Sequence, residues 1–281
     1  MKNTIKLAVL GAAALAASST ATLAGSTLPA GITTGIALGA PLPEGVYDIS
    51  IGSYGSSRDG NLAYALPVWL IWSTPWQIAG GRIAFDTTTA IADAWATGGI
   101  GKDSFLNTLV EGSIAWNLHN GFNVSLRAGA WLPSEQLLPR ALGRDYTAFT
   151  GGGSISYVAN GWNLTSTGIW GQGGNGGLYH EQNPWFNLDL TATKKLGKME
   201  IGAIAYGSWD TGCAVSNCRT KENQFAVGGL VGYDFGSFIA QAKLAGDVEH
   251  QVNSVDTAKE VRGTLTIIKP LWNPASDGPL K

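Results

Sequence analysis

About a dozen segments of roughly ten residues alternate apolar with small or polar side chains, and turns separate them. The clearest segment alternates Phe122, Val124, Leu126, Ala128 and Ala130 with Asn123, Ser125, Arg127 and Gly129. A period of two predicts a strand with one apolar and one polar face. Repeated about twelve times in a chain without a long apolar helix, this pattern predicts an all-β fold, a closed antiparallel transmembrane β-barrel.

The first 24 residues have the composition of a secretory signal peptide. Lys2 and Lys6 precede an apolar stretch over residues 7–17, and small residues lead up to Ala24, after which we predict cleavage. The apolar stretch is shorter than the roughly 20 residues that a membrane helix needs. Any membrane crossing in the mature chain is therefore expected to use strands.

Three further regions follow the predicted signal peptide. Residues 25–44 are apolar but irregular and contain three prolines, so we expect a lead-in segment in the lumen or at the rim of the barrel. The barrel is predicted over residues 45–273, and residues 274–281 form a C-terminal tail.

The composition fits a barrel whose outside faces lipid. Only 14% of residues are charged, whereas the chain contains 39 Gly and 11 Trp. A lipid-facing wall needs few charges, and Trp and Tyr favour the membrane interfaces. The near balance of 18 basic and 20 acidic residues gives no indication of nucleic-acid binding. We expect a bacterial outer-membrane protein whose partners are lipid and a small solute.

The connections alternate between long and short. Asn120-Gly121 and Asn160-Gly161 are short hairpin turns, whereas residues 133–144 and 171–184 form long loops. Outer-membrane barrels have short periplasmic turns and longer external loops, which gives an even number of strands, here about twelve. In the second strand, Pro67 predicts a bulge or a missing hydrogen bond of the strand ladder. We expect one face of that strand to hold Leu62, Tyr64, Leu66, Val68, Leu70 and Trp72, and a tight turn at residues 73–76.

The alternation also predicts which side chains line the lumen. An Arg or Lys facing lipid at the bilayer midplane costs about 2 to 4 kcal/mol, so the charged residues of the strands are expected to point inward. The predicted lumen-lining residues are Asp48, Arg82, Asp86, Glu111, Arg127, Asp189, Glu200, Lys243, Glu260, Arg262, Trp69, Trp131 and Tyr206.

Two interpretations of the charged lumen residues remain open. Glu111 with Arg127, and Lys243 with Glu260, lie on adjacent predicted strands, so each pair can form an ion pair. Such pairs either brace a wet interior or form a polar strip that orients a solute or selects ions. Trp69, Trp131 and Tyr206, together with Ile204, favour an apolar solute instead.

No catalytic or cofactor site is predicted. Residues 171–176 match G-x-G-x-x-G, but a strand rather than a helix follows, so we expect a flexible external loop. The three histidines, His119, His180 and His250, lie in turns or loops, and no serine has a recognisable nucleophile motif.

The two cysteines are predicted to pair with each other. Cys213 and Cys218 lie in one polar loop, and in an oxidising compartment this spacing favours a disulfide. The alternative, a metal pair, lacks nearby His or further Cys ligands.

Four short motifs resemble the family named for the MetA pathway of phenol degradation. They are residues 42–47 (LPEGVY), residues 66–76 (LPVWLIWSTPW), Gly80-Gly81-Arg82 and residues 201–207 (IGAIAYG). The cysteine loop and Ser208-Trp209-Asp210 depart from that family's pattern. The resemblance implies an outer-membrane barrel that passes hydrophobic small molecules and is often found with aromatic catabolism.

These observations predict a passive outer-membrane channel for small, hydrophobic or aromatic molecules. One alternative is a structural or adhesive barrel whose lumen is plugged, for example by residues 25–44. Another is a barrel lipase or deacylase that would use His180. A soluble sandwich or lipocalin-like carrier would need more surface charge than this chain offers.

Overall fold

The computed structural model describes residues 26, 28–96, 102–133, 147–173, 183–212 and 221–274. The predicted signal peptide, His180, the pair Cys213 and Cys218, and all but the first residue of the predicted tail lie outside these residues. Within the described part of the chain, no helix is long and apolar enough to cross a membrane.

Twelve antiparallel strands form one closed wall, as the sequence predicts. Each long strand pairs with the long strands before and after it in the chain, and the last one, residues 261–272, closes the wall against the first, residues 45–56. A two-residue strand, β12 (Val255–Asp256), only extends the end of the long strand before it. The wall strands are β1 (Gly45–Ser56), β2 (Gly60–Ile78), β3 (Gly81–Ala96), β4 (Lys102–Asn117), β5 (Phe122–Leu132), β6 (Ala148–Ala159), β7 (Trp162–Gly173), β8 (Trp185–Leu196), β9 (Met199–Asp210), β10 (Glu222–Asp234), β11 (Ile239–Val252) and β13 (Val261–Trp272).

The outside of the wall is apolar. Leu244, Phe149 and Ile155 are each more than 60% exposed although they lie within strands. An apolar exterior on a sealed cylinder is stable only against lipid, because water would make such a surface prone to aggregation. This is the architecture of an outer-membrane barrel.

Aromatic side chains collect at both ends of the strands. At the end with short turns, the ring centroids of Trp72 and Trp76 lie 5.3 Å apart, and Phe85 packs on both. At the other end, Phe186 stacks on Trp209. Such clusters match the two interfacial girdles of membrane barrels.

The short turns and both ends of the wall lie on the same side of the barrel. Asn160 and Gly161 have φ of 50° and 75°, the left-handed conformation that a two-residue hairpin turn requires. The connection between β1 and β2 spans only residues 57–59, shorter than the long loop that strict alternation predicts. We take the short-turn side, where β1 begins and β13 ends, as the periplasmic end.

Pro67 produces the predicted bulge, and the bulge changes which face the rest of β2 presents. On β1, Ile49 and Ile51 are two residues apart, but their partners on β2, Trp69 and Leu66, are three apart. The extra residue reverses the alternation after Leu66, so Leu66 and Trp69 are both buried although they are three residues apart.

The expected single apolar face of β2 is therefore wrong. Leu62, Tyr64 and Leu66 point inward, whereas Val68, Leu70 and Trp72 lie on the exposed face. The tight turn expected at residues 73–76 is also wrong, because β2 continues through it with a second irregularity and turns at Ala79-Gly80.

The segment before β1 lies inside the barrel. We call residues 28–44 the luminal segment. Leu28 and Ile32 are 9% and 4% exposed and pack on inward-facing side chains of the wall. The interior is therefore a packed space with its own segment of chain rather than an open tube.

Candidate functional site in the lumen

Ten of the predicted lumen-lining side chains are buried inside the wall, each at most 8% exposed. They are Trp69, Asp86, Glu111, Arg127, Trp131, Asp189, Tyr206, Lys243, Glu260 and Arg262. Arg82 and Glu200 are half-buried and line a cavity described below.

Asp48 does not point inward as expected. On β1 the buried side chains are Tyr47 and Ile49, and Asp48 lies on the alternate face, opposite the exposed Leu70. Its Oδ2 accepts a hydrogen bond of 3.0 Å from the hydroxyl of Ser50. Here the inner wall is apolar because it packs against the luminal segment, so the alternation places the polar residues outside.

A buried polar cluster connects β2, β3, β4 and β5. Arg127 Nη1 lies 2.8 Å from Glu111 Oε1, which is the predicted ion pair. Asp86 is the cross-strand partner of Glu111, and Trp69 Nε1 donates to Asp86 Oδ1 at 2.8 Å. Trp69, expected to line an apolar passage, therefore also holds a carboxylate in place.

The second predicted ion pair is wrong. Glu260, just before β13, binds Arg262 two positions along the chain in a bidentate pair, with Nε–Oε1 and Nη2–Oε2 distances of 2.7 and 2.9 Å. Lys243 instead donates from Nζ to the carbonyl of Thr34 in the luminal segment. The luminal segment thus binds the ammonium group that was expected to pair with Glu260.

Asp189 fixes the first part of the luminal segment to β8. Its Oδ1 accepts the N–H of Gly31 at 2.8 Å. Its Oδ2 accepts both the N–H and the hydroxyl of Thr33, at 2.9 and 2.7 Å. A buried carboxylate that accepts three hydrogen bonds holds this part of the chain in one position.

Gly35 is a second attachment point. Its N–H donates to the hydroxyl of Thr191 at 2.8 Å, and its carbonyl accepts from the amide nitrogens of Gln241 and Asn163 at 3.0 and 3.3 Å. Its φ of 82° is left-handed, so a side chain here would be strained. Gly35 is therefore hydrogen-bonded to three strands of the wall, β7, β8 and β11, at the same time.

A cavity of about 430 Å³ remains between the luminal segment and the periplasmic half of the wall. Tyr47, Ile49, Ile71 and Ile268 line one side of it, and Ile36 of the luminal segment adds to this apolar surface. In the outer half, by contrast, buried apolar side chains fill the space between β1 and β5. They include Leu62, Tyr64, Leu66, Leu106, Leu109 and Trp131.

Next to the apolar side, β3, β4 and β5 contribute small side chains, Arg82, Arg127 and Asp86 to the cavity. Its mouth at the periplasmic end is charged, with Lys195 and Asp234 forming an ion pair of 2.8 Å and Lys198 close by. The arrangement can hold a small molecule with one apolar and one polar surface.

Comparison with proteins of known structure identifies a related fold. An outer-membrane channel from Pseudomonas putida superimposes with a TM-score of 0.62 and 14% identity, covering 82% of this chain and 97% of that one. The translocator domain of the autotransporter NalP from Neisseria meningitidis gives a TM-score of 0.46 at 11% identity over 80% and 88% of the two chains. The monoaromatic hydrocarbon channel CymD gives 0.45 at 8% identity over 82% and 89%. At such identities the first likeness shows a shared fold, and the other two support no argument.

Sequence comparison places the chain in a family. No curated protein matches its sequence significantly. A family model, described as the MetA pathway of phenol degradation, matches residues 48–255, which is more than half of the chain and nearly all of the wall. The four motifs that suggested this family lie in the luminal segment and on β1, β2, β3 and β9. The chain therefore belongs to the family of the MetA pathway of phenol degradation.

Proposed function

We propose that this protein is a passive channel in the bacterial outer membrane for small apolar or aromatic molecules. The observation that supports this most directly is the cavity of about 430 Å³ inside a closed, membrane-spanning wall. Its size falls within the range of small-molecule sites, about 300 to 1,000 Å³. Tyr47, Ile49 and Ile71 give it an apolar surface on which a ring can lie.

The luminal segment determines how a solute moves through the proposed channel. Its lower part, residues 35–42, borders the cavity, whereas its upper part packs on the apolar side chains of the outer half. A solute entering from outside must therefore pass between this segment and the wall. Movement is downhill along the concentration gradient, and displacement of the segment opens the route.

A structural barrel with a plugged lumen is the second candidate function. The filled outer half favours it, because Leu28, Ile32 and Trp131 are nearly or fully buried there. The two candidates differ in whether the luminal segment moves. A channel requires that it does, and a plugged barrel requires that it stays in place.

A lipase or deacylase receives no support from His250. Its Nδ1 contacts the carbonyl of Ala258 at 2.8 Å and its Nε2 contacts Glu222 Oε1 at 3.0 Å, so both ring nitrogens are engaged. His119 lies exposed in the turn between β4 and β5. Release of fatty acid from labelled lipid, lost in His180→Ala, would favour an enzyme instead.

The test is to tether the luminal segment to the wall. An ideal Cβ at Gly39 would lie 3.1 Å from the Cβ of Ser156 and 2.7 Å from its backbone nitrogen. The two Cβ atoms of a disulfide lie about 3.5 to 4.5 Å apart, so a small shift of Gly39 away from the wall allows a disulfide between Gly39→Cys and Ser156→Cys. Cys213 and Cys218 are changed to Ser in this variant and in its parent, so that only the new pair can form. Uptake of labelled toluene by cells lacking the native protein, and conductance in planar bilayers, are then measured.

We expect the oxidised, tethered protein to lose most of its uptake and conductance, and reduction of the disulfide to restore both. The reduced form of the same protein is the matched control. A parent that supports neither uptake nor conductance would contradict the channel and favour the plugged barrel.

A further inference from the structure

We propose that the cavity is a binding station for an apolar molecule that bears one anionic oxygen group, with Arg82 and Arg127 binding that group. The inference rests on the proposed channel function and names its solute class. It follows from the register of three strands, the buried donors on residues that line the cavity, and the apolar surface beside them.

The strand register places the two guanidinium groups around a floor of small side chains. Arg82 lies beside Ala115, which lies beside Ser125. One row further from the periplasm, Ala84 lies beside Ser113, which lies beside Arg127. All six side chains line the cavity, and the four small ones leave the space that a ligand would fill.

Two residues that line this space carry buried donor atoms without partners. Arg127 is 8% exposed, and although its Nη1 contacts Glu111, its Nε has no hydrogen-bond partner among the described residues. The hydroxyl of Ser125, at 1% exposure, also lacks one. Because buried polar groups in proteins are nearly always paired, such donors indicate a ligand with acceptor oxygens.

Arg82 supplies the cavity with a positive charge that is paired with no carboxylate among the described residues. Arg82 donates from Nη1 to the carbonyl of Thr74 at 2.8 Å, so it contacts a neutral acceptor rather than a carboxylate. Of the carboxylates that line the cavity, Asp234 is paired with Lys195. Asp86 and Glu200 accept hydrogen bonds from neutral donors, Asp86 from Trp69 and Glu200 from Thr193 and Gln241. The positive charge of Arg82 is therefore available to a bound anion.

The apolar surface of the cavity determines what kind of body the ligand has besides its anionic group. Tyr47, Ile71 and Ile36 lie on the same cavity as the two arginines, so a ligand reaches both surfaces at once. An aromatic or short aliphatic body would pack there, while its carboxylate or phenolate oxygen binds the guanidinium groups. Arginine binds carboxylates well because its planar donor groups match their geometry.

The test compares three probes of similar size: benzoate, toluene and benzylamine. Binding to the purified full-length barrel in detergent is measured by calorimetry, and block of single-channel current is measured in planar bilayers. We expect benzoate to bind about tenfold more tightly than benzylamine, because one charge-assisted contact is gained and one repulsion avoided.

Variants then assign the contacts. Arg82→Met, on a half-buried side chain, should weaken benzoate about tenfold and leave toluene unchanged. Glu111→Met combined with Arg127→Met removes both charges of the buried ion pair. This double variant should likewise bind benzoate more weakly and bind toluene unchanged. Lys269→Met, which removes an exposed cation at the outer face of β13, is the matched control and should change neither probe.

Two outcomes would overturn the inference. Equal binding of benzoate and benzylamine would contradict the anion preference. If Lys269→Met weakened benzoate binding as much as Arg82→Met does, the effect would come from the overall charge of the protein and not from the cavity. In either case normal conductance and toluene uptake would leave the channel function standing. Loss of conductance in the parent protein would instead contradict the proposed function itself.

Discussion

Asp189 Oδ2 accepts two hydrogen bonds from Thr33, one from its backbone N–H at 2.9 Å and one from its hydroxyl at 2.7 Å. The two residues are 156 positions apart in the chain. The contact joins the wall to the luminal segment at the middle of the barrel. It is therefore the place where a single substitution should change how tightly the segment is held.

Replacing Asp189 by Ala should loosen the luminal segment. The N–H groups of Gly31 and Thr33 would lose their acceptor inside the lumen, where each hydrogen bond to a charged group is worth about 1.5 to 3 kcal/mol. We expect a lower free energy of unfolding and a larger or noisier conductance. Urea titration in detergent and planar-bilayer recording measure the two effects.

Asp256→Ala is the control for that variant, because Asp256 is an exposed carboxylate on β12 outside the wall. It should leave both measurements unchanged. If Asp189→Ala retained wild-type conductance noise, the segment would be held by its other contacts, and the gating role of Asp189 would be wrong.

The closed barrel was predictable because its signal is periodic and repeated. Each strand needs only alternate apolar side chains to place one face in lipid, and the clean alternation of β5 shows this directly. The Asn-Gly turns at Asn120 and Asn160 fixed two hairpins, since few other residues adopt the left-handed backbone found there. The four family motifs also fall within described strands, the turn at Gly80 and the luminal segment.

The placement of individual side chains was less predictable, because it depends on contacts between distant segments. Nothing within β1 shows that Asp48 faces outward, since the choice follows from the apolar luminal segment packing on Tyr47 and Ile49. Lys243 likewise binds the carbonyl of Thr34, which a comparison of neighbouring strands cannot reveal. The one local signal was Pro67, whose bulge reverses the faces of β2.

Deleting Pro67 should destabilise the barrel. The bulge residue allows Leu66 and Trp69 both to face inward. Without it, strict alternation would turn one of the two outward and bring an outer residue such as Val68 into the lumen. We expect the deletion variant to unfold at a lower urea concentration, and Trp fluorescence measures the unfolding.

Pro67→Ala keeps the residue count and is the matched control, so it should stay close to wild type. A deletion variant as stable as Pro67→Ala would show that β2 accommodates the change by sliding, and would contradict this explanation of its two faces.

A charge on the lipid-facing side of the wall should lower the free energy of unfolding more than the same charge beyond the membrane. Leu244 lies in the middle of β11 and is 63% exposed, whereas Val255 on β12 is 65% exposed. Leu244→Arg should lower the free energy of unfolding in lipid vesicles by about 2 to 4 kcal/mol, because Arg loses its hydration in the hydrocarbon. Val255→Arg, at matched exposure, should change it little. Equal effects of the two would contradict the membrane placement of β11.

The buried pair of Glu260 and Arg262 should be stabilising only as a pair. Their side chains are 3% and 8% exposed, and their two hydrogen bonds of 2.7 and 2.9 Å hold both charges. Arg262→Met would leave a buried carboxylate without its cation, which costs about 3 to 5 kcal/mol. Adding Glu260→Gln should recover much of that loss, because position 260 then carries no buried charge that needs a cation. Urea unfolding of the single and double variants measures the coupling, and simple additivity of the two losses would show that the pair does not act as a unit.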